Sequence, residues 1–227
     1  CDKDKLLSTA VNQTQIENIA KWVSNNQMVL FPVTNSGYGI GQDGKYCDET
    51  TPLNPISYYA QTKVNAETAL LVMGNVVTFR LATVFGISPR MRMDLLINDF
   101  VYRAYKDRFI VLFESHFKRN YIHIRDIASV FLHGIQNYDS MKGQAFNVGL
   151  SSANLSKMEL CEKIKVQLPD FHIFESEIAQ DPDKRDYIVS NEKIESTGWM
   201  PQYSIDDGIA ELIKLYSFLK VNSYNNL

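Results

Sequence analysis

The chain has 227 residues, 45% of them hydrophobic and 22% charged, with a formal net charge of −3. That composition describes an ordinary globular protein with one sizeable core or two small ones, and it excludes a nucleic-acid binder, which needs a concentrated basic face. No apolar run approaches the ~20 residues of a membrane span, and no signal peptide is visible, so a cytoplasmic protein is expected.

In chain order, Ile16, Ile19, Ala20 and Val23 recur at helical spacing and predict a helix over residues 14–25. A continuous apolar run at 28–33 follows, as expected of a buried parallel strand. A loop rich in Gly, Asn, Asp and Pro spans 34–55, a helix runs from 57 to about 72, and a second buried strand covers 76–82. Helix, strand, helix, strand is the rhythm of a doubly wound α/β sheet. Beyond 89 the pattern predicts a helix at 95–106, strands at 109–113 and 120–123, a helix ending near Asn137 and a strand at 145–148. Ser156 with Glu159, and Ser204 with Asp207, are capping boxes that open two further helices. Weak strands at 172–175 and 187–189 lie between them.

Three cysteines, Cys1, Cys47 and Cys161, are widely spaced, which argues for free thiols in a reducing compartment. With four scattered histidines there is no zinc-like cluster. The basic stretches Arg90–Met91–Arg92 and Lys118–Arg119 read as solvated surface. No GxGxxG joins a strand to a helix. Gly37-Tyr-Gly39-Ile-Gly41 is glycine-rich but is not followed by a helix, so it reads as a turn and not as a pyrophosphate cradle. The chain opens on Cys, not Met, and an upstream segment is expected.

A Tyr and a Lys four apart on a helix share a face, and an ammonium near a phenol favours the phenolate. Tyr59 and Lys63 have that spacing, but so do Tyr102 and Lys106, Tyr138 and Lys142, and Tyr216 and Lys220. Context separates them. Thr34 ends a buried strand just before the loop that leads to Tyr59, and in a parallel sheet the C-terminal strand ends line the ligand crevice. The other three pairs have no such hydroxyl before them.

Thr34-x-x-x-Tyr38-Gly39 followed by Pro55-Ile-Ser-Tyr-Tyr59-Ala-Gln-Thr-Lys63 resembles the Ser/Thr…Tyr-Gly…Tyr-x-x-x-Lys pattern of the extended short-chain dehydrogenase/reductase superfamily. More narrowly, it is similar to the NAD-dependent epimerase/dehydratase family. Phe79-Arg80 through Gly86 and Pro89-Arg90, Arg119-Asn-Tyr-Ile-His123-Ile-Arg-Asp126, Phe146-Asn147-Val148-Gly149, Asp183-Lys-Arg185 and Gly198-Trp199-x-Pro201 resemble its later segments in the same order.

The resemblance implies a Rossmann-type doubly wound parallel sheet, incomplete at its N-terminus, with a small α+β C-terminal substrate domain. Residues 1–88 and 120–150 would form the cofactor domain, and 89–119 and 151–227 the substrate region. It also implies NAD as cofactor, with NADP possible, a nucleotide-sugar substrate and a homodimer built on the Tyr59 helix and the 95–106 helix. Tyr59 would be the acid/base, Lys63 would bind the nicotinamide ribose and acidify Tyr59, and Thr34 would share the sugar hydroxyl. Ala82 and Val84 would line the cofactor, while Asn98, Arg119 and Arg185 would bind the nucleotide diphosphate end. His123 and Asp126 read as turn and cap residues. Relatives that eliminate water carry acidic residues just after the strand-end hydroxyl; Asn35 and Ser36 stand there instead. That favours an epimerase over a dehydratase, with a 4-ketoreductase or a non-catalytic nucleotide binder as alternatives.

Overall fold

The computed structural model describes residues 3–42, 44–176 and 183–219. Helices α1 (Lys5–Thr9) and α2 (Gln15–Trp22) are joined by a π-helical turn at Ala10–Thr14. Apolar spacing alone places this helix at 14–25. It begins earlier because the Asp4 carboxylate accepts from Leu7 N at 2.9 Å and caps the first turn. Strand β1 (Val29–Thr34) follows, then a 3₁₀ turn at Asn35–Tyr38, the two-residue β2 (Tyr46–Cys47) and α3 (Tyr58–Leu71). The Ser57 hydroxyl caps α3 by accepting from Ala60 N at 3.2 Å.

Next come β3 (Val76–Leu81), β4 (Thr83–Phe85), α4 (Leu96–Lys106), β5 (Phe109–Leu112) and β6 (Lys118–His123). Helices α5 (Ile124–Gln136) and α6 (Tyr138–Met141) lead to β7 (Gln144–Val148) and β8 (Asn154–Ser156). The chain continues through α7 (Lys157–Gln167), β9 (His172–Glu175), β10 (Ile188–Val189), α8 (Glu192–Glu195) and α9 (Ile205–Phe218).

Strands β1, β3 and β7 form a parallel sheet in that order, with Thr34 opposite Leu81 and Leu81 opposite Val148 at its C-terminal rim. The central β3 buries Val76, Val77, Thr78 and Phe79 completely, as a parallel strand covered on both faces requires. A second sheet orders β4, β6 and β8, parallel between the first two and antiparallel between the last. Parallel pairs β5–β9 and β2–β10 complete the α/β architecture.

One hydrophobic cluster joins Phe79 and Val148 of the main sheet to Ile97, Leu160 and Leu212 of the later helices. The cofactor and substrate regions expected from the resemblance therefore share a core. Helix α4 packs on α7 and α9, whereas α3 lies against α1, the π-turn and α2. The two helices expected to build a dimer bundle, α3 and α4, thus pack on different neighbours within the chain.

Candidate active site

At the rim of the main sheet, Thr34 leaves the extended conformation and the chain enters the tight turn Asn35–Tyr38. Its hydroxyl accepts from Ser36 N at 3.1 Å and donates to Ser36 Oγ at 3.0 Å. Gly39, which closes the turn, has φ +70°, and a Cβ there would lie 2.0 Å from the Asn54 carbonyl. That close approach is why a glycine must follow Tyr38. The Tyr38 hydroxyl accepts from Arg80 Nη1 at 3.2 Å and sits 2.8 Å from Asp48 O and 2.7 Å from Asn147 Oδ1. Burial drives this phenol up to about 12 against the pull of Arg80, so it is a fixed hydrogen-bonding post and not an acid.

Tyr59 and Lys63 lie in the first turns of α3. More than a third of Tyr59 is exposed, at 37%. The protein packed around the phenol raises its pKa above the usual 10, and the guanidiniums of Arg92 and then Arg185 oppose that rise. Lys63 is absent from those neighbours. Its Nζ lies 4.2 Å from the centre of the Phe31 ring, a cation–π contact on the sheet side. Partial burial there lowers the amine to about 8, with Glu67 pulling the other way. The resemblance gives Lys63 the part of acidifying Tyr59; the guanidiniums that act on the phenol here are those of Arg92 and Arg185. Among the described residues, no hydrogen bond joins Tyr59 to Thr34 or to Lys63.

Arg119 and Arg185 converge on one carboxylate. Arg119 is 3% exposed, with Nη2 3.2 Å from Asp183 Oδ1. Arg185 donates from Nε to Asp183 Oδ1 at 2.7 Å, from Nη2 to Oδ2, and from Nη1 to Ser36 Oγ. Burial works against the Asp183 charge, yet the bonds and field of Arg185, joined by Arg119, hold it at about 2. The Arg119 guanidinium also covers the buried Tyr187 ring, 5.7 Å from its centroid. Beside Tyr187 there is a cleft of about 520 Å³, lined by Gly41, His116, Lys118, Asp186 and Tyr187. Through the Ser36 hydroxyl and the field of Arg185, Thr34, Ser36, Arg185 and Tyr59 belong to one constellation.

The remaining expected residues are placed as follows. Asn98 is 2% exposed and its amide is committed within the chain: Oδ1 accepts from Gly86 N at 3.1 Å, and Nδ2 donates to Arg92 O at 2.9 Å. It holds the turn that carries Arg92. Ala82 is buried and donates its N–H to Val148 O at 2.9 Å, while Val84 is partly buried in β4 opposite Ile122. His123 caps α5, its Nδ1 accepting from Arg125 N at 3.3 Å. Asp126 accepts from Gln202 N at 2.8 Å and Tyr203 N at 3.1 Å, clamping the segment after Gly198-Trp199. Both are turn and cap residues, as the sequence suggests. Cys47 and Cys161 are buried free thiols; Cys1 and Lys220 lie outside the described residues.

Four residues of the constellation are not among the site residues expected from the sequence. Arg92, whose stretch reads as solvated surface, is paired with Asp94 at 2.5 Å and faces Tyr59. Ser36 and Asp183 join the rim turn to the second arginine. Asn35 is 1% exposed, and neither its Oδ1 nor its Nδ2 has a partner among the described residues, which in a native site calls for a ligand or a further group. Asp183 stands in the Asp183-Lys-Arg185 segment and Asn35 and Ser36 directly after Thr34, whereas nothing in the sequence pointed to Arg92.

The nicotinamide end of a dinucleotide fits this donor set. Lys63 has ammonium donors not committed to any described acceptor, and Asn35 has an unpaired buried amide. No described glycine turn opens a helix toward a pyrophosphate; Gly37 and Gly39 are already packed against Leu53, Val64 and Asn54. Among the described residues no His, Cys, Asp and Glu group could hold a metal, and no helix is long and apolar enough to cross a membrane.

A model of the NAD dependent epimerase/dehydratase family matches residues 4–149. The low-salt glycan biosynthesis protein Agl12 of Haloferax volcanii is 27% identical over 221 residues, covering 94% of this chain and 69% of its own length. Human dTDP-D-glucose 4,6-dehydratase is 25% identical over 201 residues, covering 82% and 55%. Against the curated relatives it matches, the chain spans 55–69% of their length. Among solved structures, RMD from Pseudomonas aeruginosa complexed with NADPH gives a TM-score of 0.79 at 18% identity, covering 94% of this chain and 75% of that one. The Thermus thermophilus UDP-glucose 4-epimerase complex with NAD gives 0.78 at 21%, covering 95% and 73%. These structural likenesses establish the Rossmann-like fold.

Proposed function

The chain belongs to the NAD-dependent epimerase/dehydratase family, and from that premise we propose that the natural protein is a nucleotide-sugar epimerase with Tyr59 as its acid/base. The observation that carries this reading is the joining of Thr34, Ser36 and Arg185 at the sheet rim, with Tyr59 in the field of Arg185. NAD is the family's cofactor, and when bound it supplies a hydride acceptor that is regenerated within the cycle.

Tyr59 takes the proton of a sugar hydroxyl as the carbinol carbon gives up its hydride, and returns it to the carbonyl oxygen when hydride would be delivered to the opposite face of that carbon. Arg92 and Arg185 favour the phenolate against the surroundings that disfavour it and so limit how far the phenol is driven from the working range of a general base. Thr34 orients the same hydroxyl, and Lys63 holds the nicotinamide ribose with its uncommitted donors. Arg185 and Arg119 receive the diphosphate, exchanging their shared Asp183 for phosphate oxygens that suit the guanidinium fork. Ala82 and Val84 flank the cofactor, Asn98 supports the diphosphate end through the Arg92 turn, and residues 89–119 and 151–227 supply the substrate region. Cytoplasmic location and a homodimer through the α3 face belong to the same proposal.

Epimerisation is preferred to dehydration on one specific observation. Water elimination needs an acid near the strand-end hydroxyl, and the turn after Thr34 carries the neutral Asn35 and Ser36. Substitution tests the assignment. Tyr59→Phe in the natural protein is expected to lower kcat at least ~100-fold, a loss typical of removing a general base, with substrate binding kept. Turnover within a few-fold of the unaltered protein would contradict it.

A further inference from the structure

The segment 183–186 sorts its four charges among different partners. Lys184 Nζ lies 3.1 Å from Glu114 Oε1, and the Asp186 carboxylate accepts from Lys118 N at 2.7 Å. Asp183 and Arg185 bind each other, and the buried Arg119 closes on the same carboxylate. The two cations are anchored. Arg119 stands in β6, donates from Nη1 to Lys118 O at 2.9 Å and covers the Tyr187 ring, while Arg185 is tied to the rim turn through Ser36 Oγ. The anion is held less firmly: the Asp183 side chain stands on a loop and is 38% exposed, against 3% for Arg119. One carboxylate between two guanidiniums also leaves one positive charge over, and a charge withdrawn from water is costly until it is matched.

We propose that Asp183 is a specificity-determining residue: an internal anion that keeps singly charged ligands off the Arg119–Arg185 pair and yields it to a diphosphate. The inference rests on the reading of that pair as the diphosphate end. A carboxylate and a phosphate offer a guanidinium fork the same kind of oxygen pair, so Asp183 and a phosphate contend for the same donors. A monoanion exchanged for Asp183 adds no charge, and it competes with a partner already tethered beside the arginines. A diphosphate adds the missing charge and gives each guanidinium a phosphate of its own in place of a shared carboxylate. Once displaced, the Asp183 carboxylate turns to the water that already reaches it. Loss of a charged binding residue ordinarily weakens a ligand. Here the sign is reversed: removing Asp183 tightens anion binding, because the ligand no longer has a tethered rival to displace.

The test is calorimetric titration of the natural protein with inorganic pyrophosphate and with UDP, before and after Asp183→Asn. The variant is expected to bind both about tenfold more tightly, the order of one charge-assisted bond that no longer has to be broken. A merely structural Asp183, needed to set the arginines in place, predicts the opposite sign. Acetate, with its single charge, should leave pyrophosphate binding to the unaltered protein alone and weaken it in Asp183→Ala, where it stands in for the missing carboxylate. Weaker or unchanged binding in folded Asp183→Asn, or no binding by either protein, would overturn the proposal. Should Asp183→Asn fail to fold because Arg119 is left unpaired, Asp183→Ala prepared in acetate keeps an anion between the arginines. Its apparent affinity for pyrophosphate must then fall as acetate rises, and indifference to acetate overturns the proposal equally. Turnover separates this inference from the reading beneath it. Tighter binding in Asp183→Asn, with no nucleotide sugar converted by the natural protein, removes the assigned activity and leaves Asp183 its part; conversion with weaker binding in the variant does the reverse.

Discussion

Lys63 carries an ammonium into surroundings that disfavour it, and the cost is measurable. The amine titrates near 8 in the folded chain against an ordinary 10.5. Between those values the folded state binds fewer protons than the unfolded state, so stability rises with pH across that window. Below it, charging Lys63 opposes folding. Lys63→Met is therefore expected to raise stability by ~1–2 kcal/mol at pH 7, after discounting for partial exposure, with the gain shrinking as pH rises above about 8 and mostly lost by about pH 10. Urea denaturation of both proteins at the two pH values checks this; a gain that is the same at both would contradict it. Destabilising charge retained in a crevice is what a functional residue costs a fold. At this scale the placing of Tyr59 and Lys63 on one helix was legible from spacing, but the partners of their head groups were not. The i, i+4 rule gives proximity on a helix face, while the partner of each head group is chosen by long-range neighbours: Phe31 and Glu67 for Lys63, Arg92 and Arg185 for Tyr59.

Helix starts written into local chemistry were read correctly from sequence. Ser156 Oγ accepts from Glu159 N at 3.1 Å while Glu159 Oε2 accepts from Ser156 N at 2.7 Å, and Ser204 with Asp207 forms the same reciprocal cap on α9. Ser156→Ala should cost ~1 kcal/mol of global stability, because α7 packs on α4 and α9 and cannot fray alone. Thermal or chemical denaturation measures it, and a change below a few tenths would show that α7 is held by packing only. The pair β2–β10 was not fully legible. It joins Tyr46 and Cys47 to Ile188 and Val189, and two residues leave no periodicity from which to call a strand. The onset of α1 was missed for a related reason, since it depends on the Asp4 cap and not on an apolar stripe.

For the whole molecule, order of motifs was the informative signal. Tyr38-Gly39, Arg80, Asn147 and Asp126 are weak one by one, yet the fold assembles three of them into the hydrogen-bonded chain behind α3 and uses the fourth to clamp the segment after Trp199. The unpaired burial of Asn35 and the part of Arg92 stayed hidden because neither buried isolation nor the direction of an exposed side chain is encoded in a local pattern. How the natural protein uses the unpaired Asn35 amide and the Tyr59 phenol together is decided most directly by one measurement. Incubated with UDP- and dTDP-sugars and substoichiometric NAD, and followed by proton NMR, the natural protein is expected to convert a nucleotide sugar into its stereoisomer with no net change in the reduced cofactor. Formation of a dehydrated 4-keto product, consumption of reduced cofactor in step with product, or no conversion across the panel would contradict an epimerase.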